Sequence, residues 1–462
     1  MAQPLVRVLP GEVPDLLDLV AHYPDRYPGL LTSKGQASGD ATDIVFAAPT
    51  GGLCVQQGAP SLVRGWGVGY PYSGGEHFSQ ALDQWWQAEH ASHASALPFN
   101  GGWCIYLAYE FAGTVEPSLR LTYDIEQPLA VAVRCPAAIA VIRGRDTQAF
   151  AVAEPGHEAA LDTIIRDYER AQHRAWNVQT ATYSKLTPSD GELFQSAVTQ
   201  AQSAISAGEI YQANLSRQWR GRYSRQDACA LYAALQHTNP SPFAALLRLP
   251  EMDIVSSSPE RLVRVQGRHV STRPIAGTRP RGRDAESDQA LVDELTQHPK
   301  ELAEHVMLID LERNDLGRIC KPGTVAVDEY MSIESYAHVH HIVSNVSGTL
   351  REGITPGEVI HALFPGGTIT GCPKVRCMEL IADLEARTRG AYTGSLGYLD
   401  RSGDLDLNIL IRTLTLIGQE VRCSAGAGIV ADSDPWRELL ETDAKALGML
   451  RAFEHGEAVG DL

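Results

Sequence analysis

Four glutamates stand in pairs on two segments with helical patterning. Across 300–317, Leu302, Val306, Met307 and Ile309 recur near a period of about 3.6, and Gly317 stands where a left-handed helix terminus belongs. The stretch predicts one amphipathic helix with Glu301 and Glu304 on a shared face. Glu438 and Glu441 repeat that spacing after Asp434-Pro435, a natural helix start, and Lys445 follows one turn later. If the two pairs meet across a cleft, they offer hard oxygen ligands in an incomplete shell. That set suits Mg²⁺, which keeps waters and takes its remaining contacts from an anionic substrate. On spacing alone, solvated helix faces are the commoner meaning of such pairs.

Other residues could also do chemistry. Glu260 ends the run 256–260 beside Pro259, at a strand end. A carboxyl half-buried there can have its pKa raised and act as a general acid, whereas an ordinary turn carboxylate caps a backbone N–H. Arg273, Arg279, Arg281 and Arg283 form a basic stretch punctuated by Gly and Pro, which reads as a solvated loop. His338, His340 and His341 lie on a β-like run with no Cys or carboxylate at zinc-motif spacing, so hydrogen bonding is expected of them rather than metal binding. Gly366 and Gly371 nearly imitate a phosphate loop, but Cys372-Pro373 stand where Lys and Ser/Thr are required, which argues against a nucleotide triphosphatase. A glycine-rich turn before a helix can still hold a carboxylate on its N–H groups. Gly426 to Ala431 fits G-x-G-x-x-A, which keeps an NAD-dependent dehydrogenase as an alternative of another class. Against it, Asp432-Ser433-Asp434-Pro435 follows the motif instead of a helix, and no alternating βαβ pattern surrounds it.

The elements that must position these groups belong to a large globular chain. At 462 residues it can bury a sizeable core, and 44% hydrophobic with 21% charged residues excludes disordered and low-complexity classes. A formal charge of −17 opposes nucleic acid and anionic membranes, so a small anion can bind only where local cations and N–H groups reverse the field. The eight cysteines are scattered without Cys-x-x-Cys, and neither a signal-peptide core nor an apolar run of ~18 residues occurs. We expect a cytoplasmic location with no membrane partner.

Along the chain, 43–48, 129–133 and 139–142 read as strands, 78–90 as a helix carrying Trp85 and Trp86, and Phe99 to Gly102 as a turn feeding a strand. A polar segment over 180–190 separates two halves, 1–185 and 186–462. A helix is expected from about 192 to Gly208, with a capping-box start, then a strand over 210–216 that turns Gln212, Asn214 and Ser216 to one side. A helix follows Lys374, and 407–416 with 420–424 predicts a hairpin carrying Arg412.

Taken in order, Tyr211 to Asn214, Ser258 to Arg261, Pro274 to Arg281, Glu304 to Gly317, His338 to Ser344, Phe364 to Lys374, Ile411 to Thr413, Gly426 to Val430, and Glu441-Thr442 with Lys445 resemble the chorismate-utilising enzymes. This family includes anthranilate synthase component I, aminodeoxychorismate synthase component I, isochorismate synthase and salicylate synthase. The resemblance spans 190–450 and implies an α+β fold (an α/β complex) of large antiparallel sheets wrapped by helices, like that of anthranilate synthase component I. Residues 1–185 would complete that fold, and 186–462 would form the chorismate-binding catalytic region.

The resemblance also implies roles. Glu304 and Glu441 look like Mg²⁺ ligands with Glu301 and Glu438 beside them. Arg412, Lys445 and the backbone of Gly426, Ala427 and Gly428 look like a carboxylate clamp, and Thr368 and Tyr398 resemble substrate contacts. Glu260 is placed to protonate the leaving C4 hydroxyl, with His341 assisting by hydrogen bonding. Isochorismate and salicylate synthases carry Lys in the position of Gln212; an amide cannot deprotonate water, which implies ammonia as nucleophile. Ala276 matches anthranilate synthases, since aminodeoxychorismate synthases typically carry a lysine there that attacks the ring, and its absence implies direct attack by ammonia. Gly366 to Gly371 and Gly394 to Tyr398 resemble the aminodeoxychorismate branch, and Leu30 to Ser33 is only a relic of the tryptophan-feedback motif. The expected activity is therefore amination to aminodeoxychorismate, with anthranilate formation as the alternative. No glutaminase nucleophile is apparent, so a separate glutamine amidotransferase subunit is the expected partner.

Overall fold

Segments of β-branched and small apolar residues, separated by Gly and Pro turns, build two antiparallel sheets, as period-two patterning favours. The computed structural model describes residues 3–34, 41–59, 63–67, 77–92, 95, 97–144, 146–174, 185–223, 228–336 and 339–458. His338 and the first part of the polar segment expected at 180–190 lie outside them. No helix among the described residues is long and apolar enough to cross a membrane.

Among the described residues the first sheet has twelve strands, including the short Thr187–Pro188 and Gly371–Cys372 beside Gln212–Arg222, and the second has eleven, including Ala326–Ser335 beside Val339–Thr349. The path of the first runs from Leu5–Leu9 through Gln148–Ala153, Ala137–Arg143, Ala41–Ala47 and Gly29–Thr32 to Phe243–Arg248, Met252–Ser258, Thr413–Ile417, Glu420–Ile429 and Gln212–Arg222. The second runs from Ile275–Pro280 through Val339–Thr349, His269–Thr272, Arg261–Gln266, Leu405–Asn408 and Ser395–Asp400 to Gly102–Leu107, Pro128–Cys135, Gly51–Gln56 and Val63–Gly67. Each sheet mixes early and late strands: Leu30 sits opposite Leu246 in one, and Tyr106 opposite Leu396 in the other. The sheets face each other through Ile44, Phe46 and Ile254 on one side and Cys104, Tyr106 and Leu396 on the other. Helices cover both outer faces, as two half-apolar surfaces require.

The helices expected at 78–90, 192–208 and 300–317 are present as Phe78–Glu89, Gly191–Ser206 and Pro299–Gly317, and Pro435–Ala458 follows Asp434 as expected. The start of Gly191–Ser206 is capped by Asp190, which accepts from the Glu192 N–H, so the capping-box start expected there is corrected. Two other readings change more. The basic stretch is not a loop: Ile275–Pro280 pairs with Val339–Thr349, and Arg273, Arg279 and Arg281 ion-pair with Glu329, Glu301 and Asp288. The stretch 407–416 is not one strand, because Leu405–Asn408 belongs to the second sheet and Thr413–Ile417 to the first. The chain crosses between sheets there, and Arg412 takes a left-handed backbone, φ 50°, at the turn. A second crossing joins Met252–Ser258 to Arg261–Gln266 through Pro259 and Glu260. The two crossings are tied by Ile409 N–H to the Glu260 carbonyl (3.0 Å) and Ser257 N–H to the Arg412 carbonyl (3.1 Å).

Both halves also meet in a buried ion cluster. Arg134 donates to both Glu154 oxygens at 2.6 and 2.7 Å and to Glu89 at 2.7 Å, and Arg401 reaches Glu154 at 2.9 Å. The guanidinium lies over the Trp103 ring. Arg134→Ala leaves Glu154 buried with Arg401 as its remaining cation and should lower the unfolding free energy by about 3 kcal/mol. Urea titrations of the two proteins check this; a change below about 1 kcal/mol would remove the cluster from the fold's support.

Candidate active site

The site begins where the strand Gln212–Arg222 leaves the sheet edge. Alternation turns Ala213 and Leu215 into apolar clusters and Gln212 and Asn214 into a cavity of about 740 Å³. Tyr211, before the strand, is exposed. Gln212 Nε2 donates to Glu304 Oε1 at 2.6 Å, while its Oε1 is buried without a partner. A Cβ at Gly428, on the neighbouring strand, would stand 2.4 Å from that Nε2, so a side chain there would displace the Gln212 amide.

Glu301, Glu304 and Leu308 on Pro299–Gly317 line one wall, with Glu438, Glu441 and Lys445 on Pro435–Ala458. The two glutamate pairs thus open into one cavity. Arg279 meets Glu301 at 3.1 Å, and Lys445 meets Glu441 at 2.8 Å and the Gly426 carbonyl at 3.0 Å. Among the described residues, no three His, Cys, Asp or Glu side chains form a complete metal cage. An open, oxygen-only donor set fits a hard cation that completes its shell with water and substrate, and it does not fit structural zinc.

Glu260 is buried at the crossing, with Oε1 unpartnered and Thr368 beside it. Burial pushes its carboxyl up to about 7, partly opposed by the Thr368 hydroxyl, the Ile275 N–H and the charge of Arg412, with the nearby charge of Glu312 adding to the rise. The Thr368 hydroxyl faces Glu260, and among the described residues neither it nor Glu260 Oε1 completes a regular hydrogen bond. Arg412 lines the cavity, and among the described residues its guanidinium takes no hydrogen bond or ion pair. Burial lowers its pKa without bringing it near neutrality. His341 hydrogen-bonds Thr278 Oγ1 through Nδ1 at 2.9 Å and packs edge-on against Tyr336. Burial lowers it to about 4, so the ring is neutral at physiological pH, and its buried Nε2 has no partner. An acid holding its proton, an unmatched guanidinium and a neutral imidazole therefore share one cavity. Such a set can bind an anion and protonate a poor leaving group.

Of the residues expected in the site, Gln212, Glu260, Ala276, Glu301, Glu304, His341, Thr368, Arg412, Gly426, Gly428, Glu438, Glu441 and Lys445 line this cavity. Tyr398 is corrected: it packs between the sheets against Phe99, because its strand turns that side chain inward. The Ala427 side chain also faces away, into a cluster with Leu215 and Ile381. His340 pairs with Asp288 at 2.9 Å and Ser335 at 2.7 Å, and belongs to no metal site. The G-x-G-x-x-A run is mostly interior to the antiparallel strand Glu420–Ile429, which removes the dinucleotide reading. Asn214 and Tyr392 also line the cavity. Strand alternation pointed to Asn214, but nothing local singled out Tyr392.

The chain matches the family model described as chorismate binding enzyme over residues 59–451. It is 45% identical over 361 residues to an anthranilate synthase component I-like protein from Synechocystis, covering 78% of this chain and 74% of that one. Aminodeoxychorismate synthase component 1 of Bacillus subtilis is 38% identical over 390 residues, 82% of each chain. The crystal structure of anthranilate synthase component I from Streptococcus pneumoniae superposes with a TM-score of 0.76 at 29% identity, covering 90% of this chain and 93% of that one.

The buried acid has a measurable signature. The Glu260 carboxyl keeps its proton to about 7 when folded against 4.5 ordinarily, so across that interval unfolding releases a proton and rising pH destabilises the native state. Glu260→Gln removes this term. Moving from about pH 5 to about pH 7.5, the variant should gain roughly 2–3 kcal/mol on the wild type. A pH-independent difference between the two urea curves would show that Glu260 ionises normally.

Proposed function

The chain belongs to the chorismate-binding enzymes, and from that membership we propose that it is an aminodeoxychorismate synthase component I, aminating chorismate with ammonia to 4-amino-4-deoxychorismate. The observation that carries the choice of nucleophile is Gln212. An amide stands at the cavity wall, donating to Glu304, where a base for water would be needed. The B. subtilis relative, matched over 82% of each chain, supports the C4 product.

In this reading Arg412 and Lys445 take the substrate carboxylates, and the strand around Gly426 and Gly428 approaches them closely for lack of side chains. Glu260 gives its proton to the C4 hydroxyl, the C–O bond breaks and water leaves. Ammonia supplies the electron pair for the new C–N bond and then sheds a proton. Neutral His341 presents Nε2 for hydrogen bonding near the reacting ring. Ala276 offers no nucleophile, so attack by ammonia is direct. Glu304 and Glu441, with Glu301 and Glu438 beside them, would hold Mg²⁺, which would supply positive charge for a substrate carboxylate. Ammonia comes from a separate glutamine amidotransferase subunit, and the eight free cysteines suit a reducing cytoplasm.

Ala276 favours a second reading, anthranilate formation, as the similarity to the Streptococcus enzyme also does. Purified protein with chorismate, Mg²⁺ and ammonium, analysed by chromatography with and without aminodeoxychorismate lyase, separates the two. We expect 4-aminobenzoate that depends on the lyase; fluorescent anthranilate without lyase would establish the second reading. Glu260→Gln should retain chorismate binding while kcat falls by about 100-fold or more. Near-normal turnover in that variant would remove Glu260 from its role as acid.

A further inference from the structure

Among the described residues, the strand Gln212–Arg222 is paired along its length on one side only, by Glu420–Ile429 from Ala213 to Arg222. On its other side Gly371–Cys372 meets only Gln212 and Ala213, and Thr187–Pro188 only Trp219 and Arg220. Between those short pieces the backbone around Asn214 and Ser216 needs partners, since unpaired buried amide groups are costly. The Thr370 carbonyl takes the Asn214 N–H at 2.8 Å. Charged side chains supply the rest. Arg389 donates to the Asn214 carbonyl at 2.7 Å, Glu385 accepts the Ser216 N–H at 2.8 Å, and Arg387 donates to the Ser216 carbonyl at 3.1 Å.

Of these, Arg389 ties the most together. It is buried, and each of its five N–H groups has an acceptor of its own. Nε and Nη2 hold the two oxygens of Glu385 at 3.0 and 2.7 Å, and the second Nη2 hydrogen serves Asn214. Nη1 donates to the Ile369 carbonyl at 3.2 Å and to the Thr393 hydroxyl at 3.3 Å. The guanidinium also lies 4.7 Å from the Tyr109 ring centre and 5.6 Å from that of Tyr392.

The groups held in this way belong to three parts of the cavity wall. Asn214 lines the cavity, Ile369 follows Thr368, which stands beside Glu260, and Thr393 follows Tyr392. Asn214 and Tyr392 meet over Gly426, where a Cβ would stand 2.7 Å from Asn214 Oδ1 and 2.6 Å from the Tyr392 hydroxyl oxygen. The carbonyl of that glycine is the one that Lys445 engages. Arg389 stands behind this wall and touches the cavity only through it.

We infer that Arg389 is a positioning residue for the chemical step, its five-way fork fixing the turn that carries Thr368 against the wall formed by Asn214 and Tyr392. The inference rests on the amination reading in requiring that chorismate be turned over, and is indifferent to which amine is formed. Lysine cannot take this place. An ammonium has three donors and no fixed plane, so it cannot serve five acceptors at once. Binding is anchored elsewhere, on Arg412 and Lys445, whereas chemistry depends on reacting groups held in one geometry.

The test measures turnover and binding side by side on the full chain with Mg²⁺, for wild type and Arg389→Lys. Turnover with ammonium is counted as chorismate consumed, and binding is read by calorimetric titration of chorismate without ammonium. In the variant kcat should fall about 10–100-fold, while KM for chorismate stays within about threefold and binding still saturates at about one chorismate per chain. A loss of kcat below about tenfold overturns the inference, because a charge opposite Glu385 would then suffice. A loss carried by KM, or a binding stoichiometry that falls in step with kcat, also overturns it, since either would make Arg389 a support of the fold alone. Should Arg389→Lys fail to fold, Glu385→Gln decides. It sets an amide N–H against the guanidinium and should produce the same split; unaltered kcat there refutes the inference. Wild type that leaves chorismate untouched refutes the amination reading and this inference with it, whereas an active wild type with an equally active variant refutes the inference alone.

Discussion

Two chain crossings, tied to each other by hydrogen bonds, are the constraint on which the site depends. At one the chain leaves the first sheet through Pro259 and Glu260; at the other it returns through 409–412. The Ile409 to Glu260 and Ser257 to Arg412 backbone bonds hold them side by side. Because both crossings pass between stacked sheets, the side chains they carry are taken out of water. That burial keeps a proton on Glu260 and leaves Arg412 poorly solvated beside it. The left-handed backbone of Arg412 costs about 1–2 kcal/mol, which a tightly paired crossing can hold in place.

An acidic chain that binds a small anion must solve a field problem, and here it is solved locally. Two helices bring four glutamates to the cavity, yet Arg279 and Lys445 each engage one of them, and Arg412 stands opposite. A hard cation among the open carboxylates would turn the acidic wall into an anion contact, so the same groups serve ion and substrate. Among the described residues, the first 185 positions contribute no lining side chain to this cavity. Their part is to complete both sheets and to close the core between them, as Phe46, Phe99 and Tyr106 do.

What could be read in the sequence follows from how local each signal is. The helices carrying the glutamate pairs were legible because periodicity and caps lie within one segment, and Gln212 with Asn214 followed from strand alternation. The convergence of those helices was not local; it rested on resemblance until the fold placed them. Arg412 was expected in the middle of a strand, since nothing nearby distinguishes a continuous strand from two that change sheets. The stretch holding Arg273 and Arg279 looked solvated because their acidic partners, Glu329 and Glu301, are distant or on another element. Tyr398 lies away from the cavity for a simpler reason: a one-residue step along a strand turns a side chain to the opposite face. Glu312 passed unnoticed among surface-like charges because burial of a helical carboxylate is decided by its neighbours, here the turn Gly367–Ile369.

The central claim is that the two glutamate helices and Arg412 form one cation-dependent site for a small carboxylate substrate. Calorimetric titration of chorismate into the full chain, with Mg²⁺ and again with EDTA, tests it most directly. The account predicts binding that weakens at least about tenfold without Mg²⁺ in the wild type, and a Glu304→Gln/Glu441→Gln protein in which Mg²⁺ no longer matters. Chorismate affinity indifferent to Mg²⁺ in the wild type would contradict it.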